Sequence, residues 1–443
     1  MTTLAHALAT LQTLWYAPAL PWQPLKSLDA MLTEQPTMIF AEAAFIVLAT
    51  FSFVHAMAHG RMHAMAFFGA LVGGTANDIF FMVLPFVDNF FHAQGTVMLT
   101  PRLPLYIVCV YVCFIYVPVV ASWRLSSVTP IARCAASALC GTLFYAPYDL
   151  TGAKFLWWSW HDTDAAVSLR WMGVPIGSTL WTLMHGFCFH ALLHVLVLRH
   201  AAPLRPAAAA SALLGLSMLC TPCMMLSMAP FQMHQLRVRL SAEALTTTLS
   251  ADAQPAIELL QLPGKPDPPS LALALGTLLL VLVRGSTAAS AAARSAAAGS
   301  TGPNPPALAK EPPIPRLDAT LLGLAAGTLV TLLAVMVVGE PAAVVSRGIH
   351  QEFGPCGVPE HDLSGYARTK FLCVPELDED FHLGCVTQRL PPERPSWYTI
   401  CGRAHSNYPM YVGVAAALCA GSSAALTRML VGAASQPAAV KLD

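Results

Sequence analysis

Residues 37–58 read TMIFAEAAFIVLATFSFVHAMA, and after the break His59-Gly60-Arg61 residues 64–87 read AMAFFGALVGGTANDIFFMVLPFV. Each run exceeds the roughly 20 residues that a helix needs to cross a bilayer. The pair therefore reads as two membrane spans joined by a tight hairpin at Gly60 and Arg61. Neither span is purely apolar. Glu42 lies in the first, Asn77 and Asp78 lie in the second, and His55, His59 and His63 gather around the hairpin. Ionisable groups are costly in hydrocarbon, so these side chains are expected to face a cavity, a partner or a bound ion.

The rest of the chain has the same character. Of 443 residues, 56% are hydrophobic and 11% charged, whereas a soluble domain carries about a quarter charged residues. A net charge of zero excludes a nucleic-acid partner. The expected fold class is all-α, a polytopic transmembrane helix bundle in a lipid bilayer. Nine apolar stretches are long enough to span: 37–58, 64–87, 105–123, 128–148, 176–198, 207–229, 271–292, 319–338 and 410–427. The fourth and seventh are the weakest, since Arg133 and Arg284 interrupt them. No basic start and no small-residue cleavage site precede the first span, which is expected to serve as its own targeting signal into the secretory pathway or plasma membrane.

Loop charge gives an orientation. With loops numbered alternately, one side holds eleven of the 24 Lys and Arg residues and only Glu311, Asp318 and Asp443 as acids. The positive-inside rule makes that side cytosolic, the N-terminus external and the C-terminus cytosolic. The expected organisation is an external segment 1–36, a six-span core 37–229 holding the candidate chemistry, and an external connection 230–270 with a short helix near 253–262. Two spans follow within 271–338, joined by an Ala/Pro-rich linker at 293–316. A Cys-rich external loop covers 339–409, and a last span with its tail covers 410–443. That loop carries Cys356, Cys373, Cys385 and Cys401. On the external side disulfides persist, so two bridges are expected in one of three pairings. A zinc site is the alternative, but its usual closely spaced Cys pairs are absent. Cys220-Thr221-Pro222-Cys223 has a redox-like spacing, yet inside a lipid span it reads as packing with a kink at Pro222.

Two groups of polar residues could carry chemistry. His55, His59 and His63 recur every four residues, as do His190 and His194 in the fifth span. They form one helical stripe or straddle two helices. Neutral imidazoles so placed are candidate ligands for zinc, iron or haem, or else hydrogen-bonding groups at the headgroup level. The second group belongs to the other leaflet: Asp78, Asp88, His92, Asp149, and the run Trp157-Trp158-Ser159-Trp160-His161-Asp162-Thr163-Asp164 with Arg170 and Trp171. Tryptophan favours the membrane interface. Asp78, Asp88, Asp149, His161, Asp162 and Asp164 are the candidate acids and bases, and His92 a candidate metal ligand. The alternative is a salt-bridged cap in which Arg170 or Lys154 pairs the aspartates. His185 lies mid-span between the groups, and Glu42 is at a depth comparable to Asp78. About 22 Å of helix, at 1.5 Å per residue, separates His63 from Asp78, so one metal cannot serve both.

Three stretches carry a resemblance. They are Gly73-Gly74-Thr75-Ala76-Asn77-Asp78-Ile79-Phe80-Phe81, then Asp88-Asn89-Phe90-Phe91-His92-Ala93-Gln94, and Tyr148-Asp149-Leu150-Thr151-Gly152-Ala153-Lys154-Phe155-Leu156 leading to Gly173-Val174-Pro175. Together with the Cys loop they resemble an uncharacterised family of eukaryotic multipass membrane proteins, which implies a fold but no chemistry. His190 and His194, with His63 and Asp78, are also similar to the HxxxH, His and Asp set of intramembrane zinc hydrolases such as the alkaline ceramidases. The Ser that those enzymes place one turn before the earlier His is His59 here. The Trp-rich loop, Gly173-Val174-Pro175 and Trp181 resemble carotenoid-biosynthesis membrane proteins over a few residues. Three functions follow: a metal-dependent enzyme acting on a lipid-like substrate, a transporter or receptor with an outward-facing acidic pocket lined by Asp78, Asp88 and Asp149, or a structural partner protein.

Overall fold

The structure is a computed structural model. It describes residues 24–84, 86–125, 128–200, 204–235, 238–239, 258–259, 265–362 apart from 299–315, 364–373, 380–385 and 398–431. The start of the N-terminal segment, most of the expected linker and the tail lie outside the described residues, as does most of the stretch read as a short helix. The described part of that stretch, Glu258–Leu259, pairs with Val238–Arg239 as two short strands instead.

Nine long helices are described: α1 Pro36–Ala58, α2 Arg61–Val83, α3 Leu105–Ser122, α4 Pro130–Lys154, α5 Ile176–Leu193, α6 Pro206–Gln232, α7 Pro268–Ala298, α8 Arg316–Val338 and α9 Tyr408–Val431. Proline at the first turn of α1, α4 and α6 marks three of their starts, where a missing N–H costs nothing. Eight of the nine are long and apolar enough to cross a membrane. The other is α4. It packs against α3, α5, α7 and α9, and 18 of its 25 residues are buried. A helix enclosed by protein needs no lipid-compatible surface, so its Ser, Thr, Gly and charged residues are tolerated. It also runs beyond the expected end at residue 148, which puts Asp149 inside the helix rather than at its end.

Successive helices run in alternate directions. The α1–α2 hairpin turns at Gly60, whose φ of +89° is one that glycine adopts without strain. At this end His55 on α1 meets Asp318 on α8, and Trp123 meets His190 on α5. At the other end Lys154 donates to the Ala404 carbonyl at 3.1 Å.

That second end carries two disulfides, Cys356–Cys373 and Cys385–Cys401, with Cα separations of 5.0 and 5.8 Å. They join neighbours in sequence, one of the three expected pairings, and mark this side as oxidising, lumenal or external. Strands β1 Phe90–His92 and β2 Trp158–Trp160 pair antiparallel here, His92 opposite Trp158. The Cys loop adds β3 Val345–Gly348, the hairpin β4 Pro359–His361 and β5 Ala367–Thr369, then β6 Phe381–His382 and β7 Tyr398–Gly402. Its three-stranded sheet has the order β6-β7-β3. The loop docks onto the bundle end through Gln94 N–H to the Arg347 carbonyl at 2.7 Å and Ser346 Oγ to the Leu156 carbonyl at 2.7 Å.

Candidate functional site

Asp78 is 1% exposed. Its helix brings it against α3, where the Tyr111 hydroxyl donates to Oδ1 at 2.5 Å. His92 Nε2 lies 3.3 Å from Oδ2. Asn77, next in the chain, donates to the same Tyr111 oxygen at 3.2 Å and accepts from Thr221 of α6 at 3.0 Å. The approach of Tyr111 depends on Gly74, because a Cβ there would overlap the ring. The Gly-Gly-Thr-Ala-Asn-Asp run thus has a physical reason: a bare backbone face for the phenol, then the polar pair that the phenol serves.

Above Asp78 lies a half-enclosed chamber with a cavity volume of about 190 Å³. Its walls are mainly aromatic, with Tyr111, Phe114, Tyr145, Tyr148, Trp158 and Trp181 prominent, and Met224, Met225 and Met228 of α6 form one side. Lys265 and Pro266 together with Asp362, Ser364 and Tyr366 of the β4–β5 hairpin also line it. Lys265 Nζ lies over the Tyr366 ring at 5.4 Å, which links these two segments. The hydrophobic wall with a few convergent polar groups is the usual make-up of a small-molecule site.

The other outer residues divide between chamber and seam. Asp88 is held by the fork of Arg102, at 2.8 and 2.6 Å, and does not line the chamber; the expectation that it does is corrected. Asp149 also stands behind the wall. Ser178 donates to its Oδ2 at 2.6 Å, and Ser178, not Asp149, reaches the chamber. Asp162 exchanges hydrogen bonds with Gln351 of the Cys loop at 2.8 and 3.0 Å. Burial works against its ionisation, but hydrogen bonds from His161 and Gln351 hold its carboxyl below the ordinary value. His161 Nδ1 lies 3.2 Å from Asp162. Asp164 lines the chamber and accepts from Arg368 at 2.8 Å, both side chains 2% exposed. The Trp-His-Asp-Thr-Asp run is therefore chiefly the seam on which the Cys loop sits. Arg170 donates to the His161 carbonyl at 2.9 Å.

At the opposite end the histidine row straddles two helices, with His55 on α1, His59 capping it and His63 on α2. Ring centroids of His55 and His59 are 4.1 Å apart, and those of His59 and His63 are 4.9 Å apart. Asp318, at the start of α8, joins them: His55 Nε2 is 2.8 Å and His59 Nε2 3.5 Å from its Oδ1. Among the described residues, His55, His59 and Asp318 form a group able to hold a metal ion. His190 is not in this group. Trp123 donates to its Nε2 at 3.3 Å and Ser137 Oγ lies 2.7 Å from its Nδ1, so both ring nitrogens are occupied. His194 begins a π-helical turn at the end of α5, and His92 belongs to Asp78 instead. His185 stacks on Trp181, with Cys220 Sγ 3.4 Å from its Nε2. Cys220 and Cys223 are free thiols, not a disulfide.

A family model, described as a domain of unknown function (DUF7802), matches residues 21–201 and 318–430. The chain belongs to the DUF7802 family. The matched segments contain Asp78, His92 and Tyr111 at the chamber, the whole Cys loop, and His55, His59 and Asp318. They omit α6, α7 and the connection between them. No characterised protein and no solved structure matches. DUF7802 membership thus supplies a family and no chemistry.

Proposed function

We propose that the chamber is the binding pocket of a receptor or transporter, open to the oxidising side and built for a small amphipathic ligand. The observation that carries this reading is Asp78: a 1%-exposed carboxylate, oriented by a phenol and an imidazole, in the lining of a 190 Å³ aromatic chamber. A carboxylate so deep in apolar helices marks a ligand or ion path by default. The aromatic and methionine walls suit the apolar part of the ligand, and Asp78 with His92 reads its polar part. This reading keeps the N-terminus external and the C-terminus cytosolic, in a secretory-pathway or plasma membrane.

The metal-dependent enzyme reading has less support. Apart from His92, its histidine ligands sit at the end of the bundle opposite its intended acid or base, Asp78. A structural partner protein would have no need of an open aromatic chamber. The test is binding of a fluorescent amphiphile to purified protein in nanodiscs. Saturable binding, weakened at least tenfold by Asp78→Asn and also reduced by Trp181→Ala, is expected. Identical isotherms for wild type and both folded variants would remove the proposal. Uptake into proteoliposomes then separates transporter from receptor.

A further inference from the structure

The histidine row takes no part in the chamber, and its hydrogen bonds show what belongs between its side chains. His59 Nδ1 lies 2.8 Å from the His55 carbonyl, which can only accept. The neutral ring therefore carries its proton on Nδ1 and its lone pair on Nε2, and Nε2 faces Asp318 Oδ1 at 3.5 Å. Two electron-rich atoms facing each other beside a buried carboxylate call for a cation between them, a proton or a metal. His55 presents the same two nitrogens, although its Nδ1 partner is a hydroxyl that either donates or accepts, so its tautomer is not fixed. Its Nδ1 is 2.8 Å from the Tyr116 hydroxyl and its Nε2 is 2.8 Å from the same Asp318 oxygen. Histidines that ligate metals have this form, one nitrogen held by an oxygen that sets the tautomer and the other turned to the ion. Asp318 Oδ1 faces the imidazoles, while its Oδ2 is ion-paired with the Arg124 guanidinium.

We infer that His55 Nε2, His59 Nε2 and Asp318 Oδ1 bind one divalent ion of the zinc type. The three ligand atoms all lie within 4.8 Å of one another. Two ligands of a tetrahedral zinc stand about 3.3 Å apart, and the two histidine–carboxylate separations here are 2.8 and 3.5 Å. The fourth position falls to His63, which lies outside the three-residue group and has to turn its ring to reach the ion. That ring is 4.9 Å from His59, and its Nδ1 is buried without a partner among the described residues. A set rich in imidazole selects zinc over magnesium or calcium. Four protein ligands close the shell, so the ion braces the structure by tying the α1–α2 hairpin to α8, with no open position for catalysis. Binding displaces any proton held between the nitrogens and the carboxylate.

The test uses the full chain without a histidine tag, in nanodiscs, stripped with chelator, reloaded with zinc and freed of excess by gel filtration. The expected result is one zinc per chain, a rise in Tm on loading, and loss of both in the His59→Ala/Asp318→Asn double variant. Cobalt in place of zinc is expected to give the intense visible bands of a tetrahedral site. Tyr116→Phe keeps every ligand and is expected to weaken zinc by about tenfold or more, which decides the matter should the double variant fail to fold. Folded wild type that takes up no zinc overturns the site and makes the bridging cation a proton. Retention of the zinc by the double variant, or zinc affinity unchanged in Tyr116→Phe, overturns it as well.

Discussion

Asp78 and Asp318 are both carboxylates buried in apolar helices, and both face histidine, yet they stand at opposite ends of the bundle in different settings. Asp78 has a phenol and one imidazole beside it and an aromatic chamber above it. Asp318 has two imidazoles and a guanidinium packed around it, and it does not line the chamber. On the proposed readings, the same chemical pair would serve recognition where space is left and cross-linking where countercharge fills the space. Removal of each acid should separate the two roles. Asp318→Leu leaves Arg124 and the histidines without their counter-charge; breaking a fully buried pair costs about 3–5 kcal/mol, and solvent at the one-third-exposed Arg124 reduces that here, so a clear fall in Tm is expected. Asp78→Asn keeps an acceptor for Tyr111 and should cost about 1 kcal/mol, read as a small fall in Tm with ligand binding lost. Equal losses of stability would abolish the distinction.

The next test acts on one end alone. Cys356–Cys373 closes a loop with a sequence separation of 17 around the β4–β5 hairpin that borders the chamber. Opening a loop of that size costs about 3 kcal/mol. The Cys356→Ser/Cys373→Ser variant is expected to expose the hairpin to protease and to weaken chamber binding, with the histidine end unchanged in its metal content. If zinc content fell with it, the two ends would be coupled and could not be treated as separate devices.

Acid should also distinguish the ends, through His350 of the Cys loop. Its Nδ1 meets Ser159 Oγ at 3.0 Å. Burial pushes the imidazole down from 6.5 to about 3, and Arg102 adds a smaller push that the backbone of Ser346 opposes. The folded loop therefore keeps this ring neutral, while the unfolded loop takes up a proton below pH 6.5. Stability is full above that pH and falls as pH drops toward about 3. By pH 5 the loss from this group is on the order of 2 kcal/mol. Glu352 and Asp362, raised mainly by burial, bind protons more tightly in the fold and offset part of the loss. Proteolysis of the loop across this range should accelerate in wild type and far less in His350→Gln. A flat profile in wild type would show that the ring is hydrated.

Much of this arrangement is legible in sequence, for reasons that can be named. Span length and hydropathy are local properties, so eight spans, the hairpin at Gly60 and the Cys loop can be read directly. The helix period sorts His55, His59 and His63 away from Asp78. Pairing across the bundle is not local. Nothing near Arg102 says that it will take Asp88, and nothing near Arg368 that it will take Asp164. Tyr111 and Tyr116 look like two members of an apolar run, although each holds a candidate site in position. Asp318 did leave a signal: it is an acid in the first turn of an otherwise apolar helix, which read as a loop charge until the fold set it beside His55. The fourth span looked weak because hydropathy measures affinity for lipid, and α4 meets protein instead.

The two phenols give the finest test of the comparison. Tyr111 donates to Asp78, and Tyr116, five residues along α3, meets His55; one helix therefore serves both ends. Replacing either with Phe deletes one buried hydrogen bond at nearly constant volume, worth about 1 kcal/mol, so neither change should unfold the protein. Their consequences should cross. Tyr111→Phe frees Asp78 to move and should weaken the chamber ligand about tenfold while leaving metal content alone. Tyr116→Phe should do the reverse. Each variant assayed for both properties gives a two-by-two pattern, and equal effects of both on both would mean that α3 transmits between the ends, since neither hydroxyl touches the other's acid.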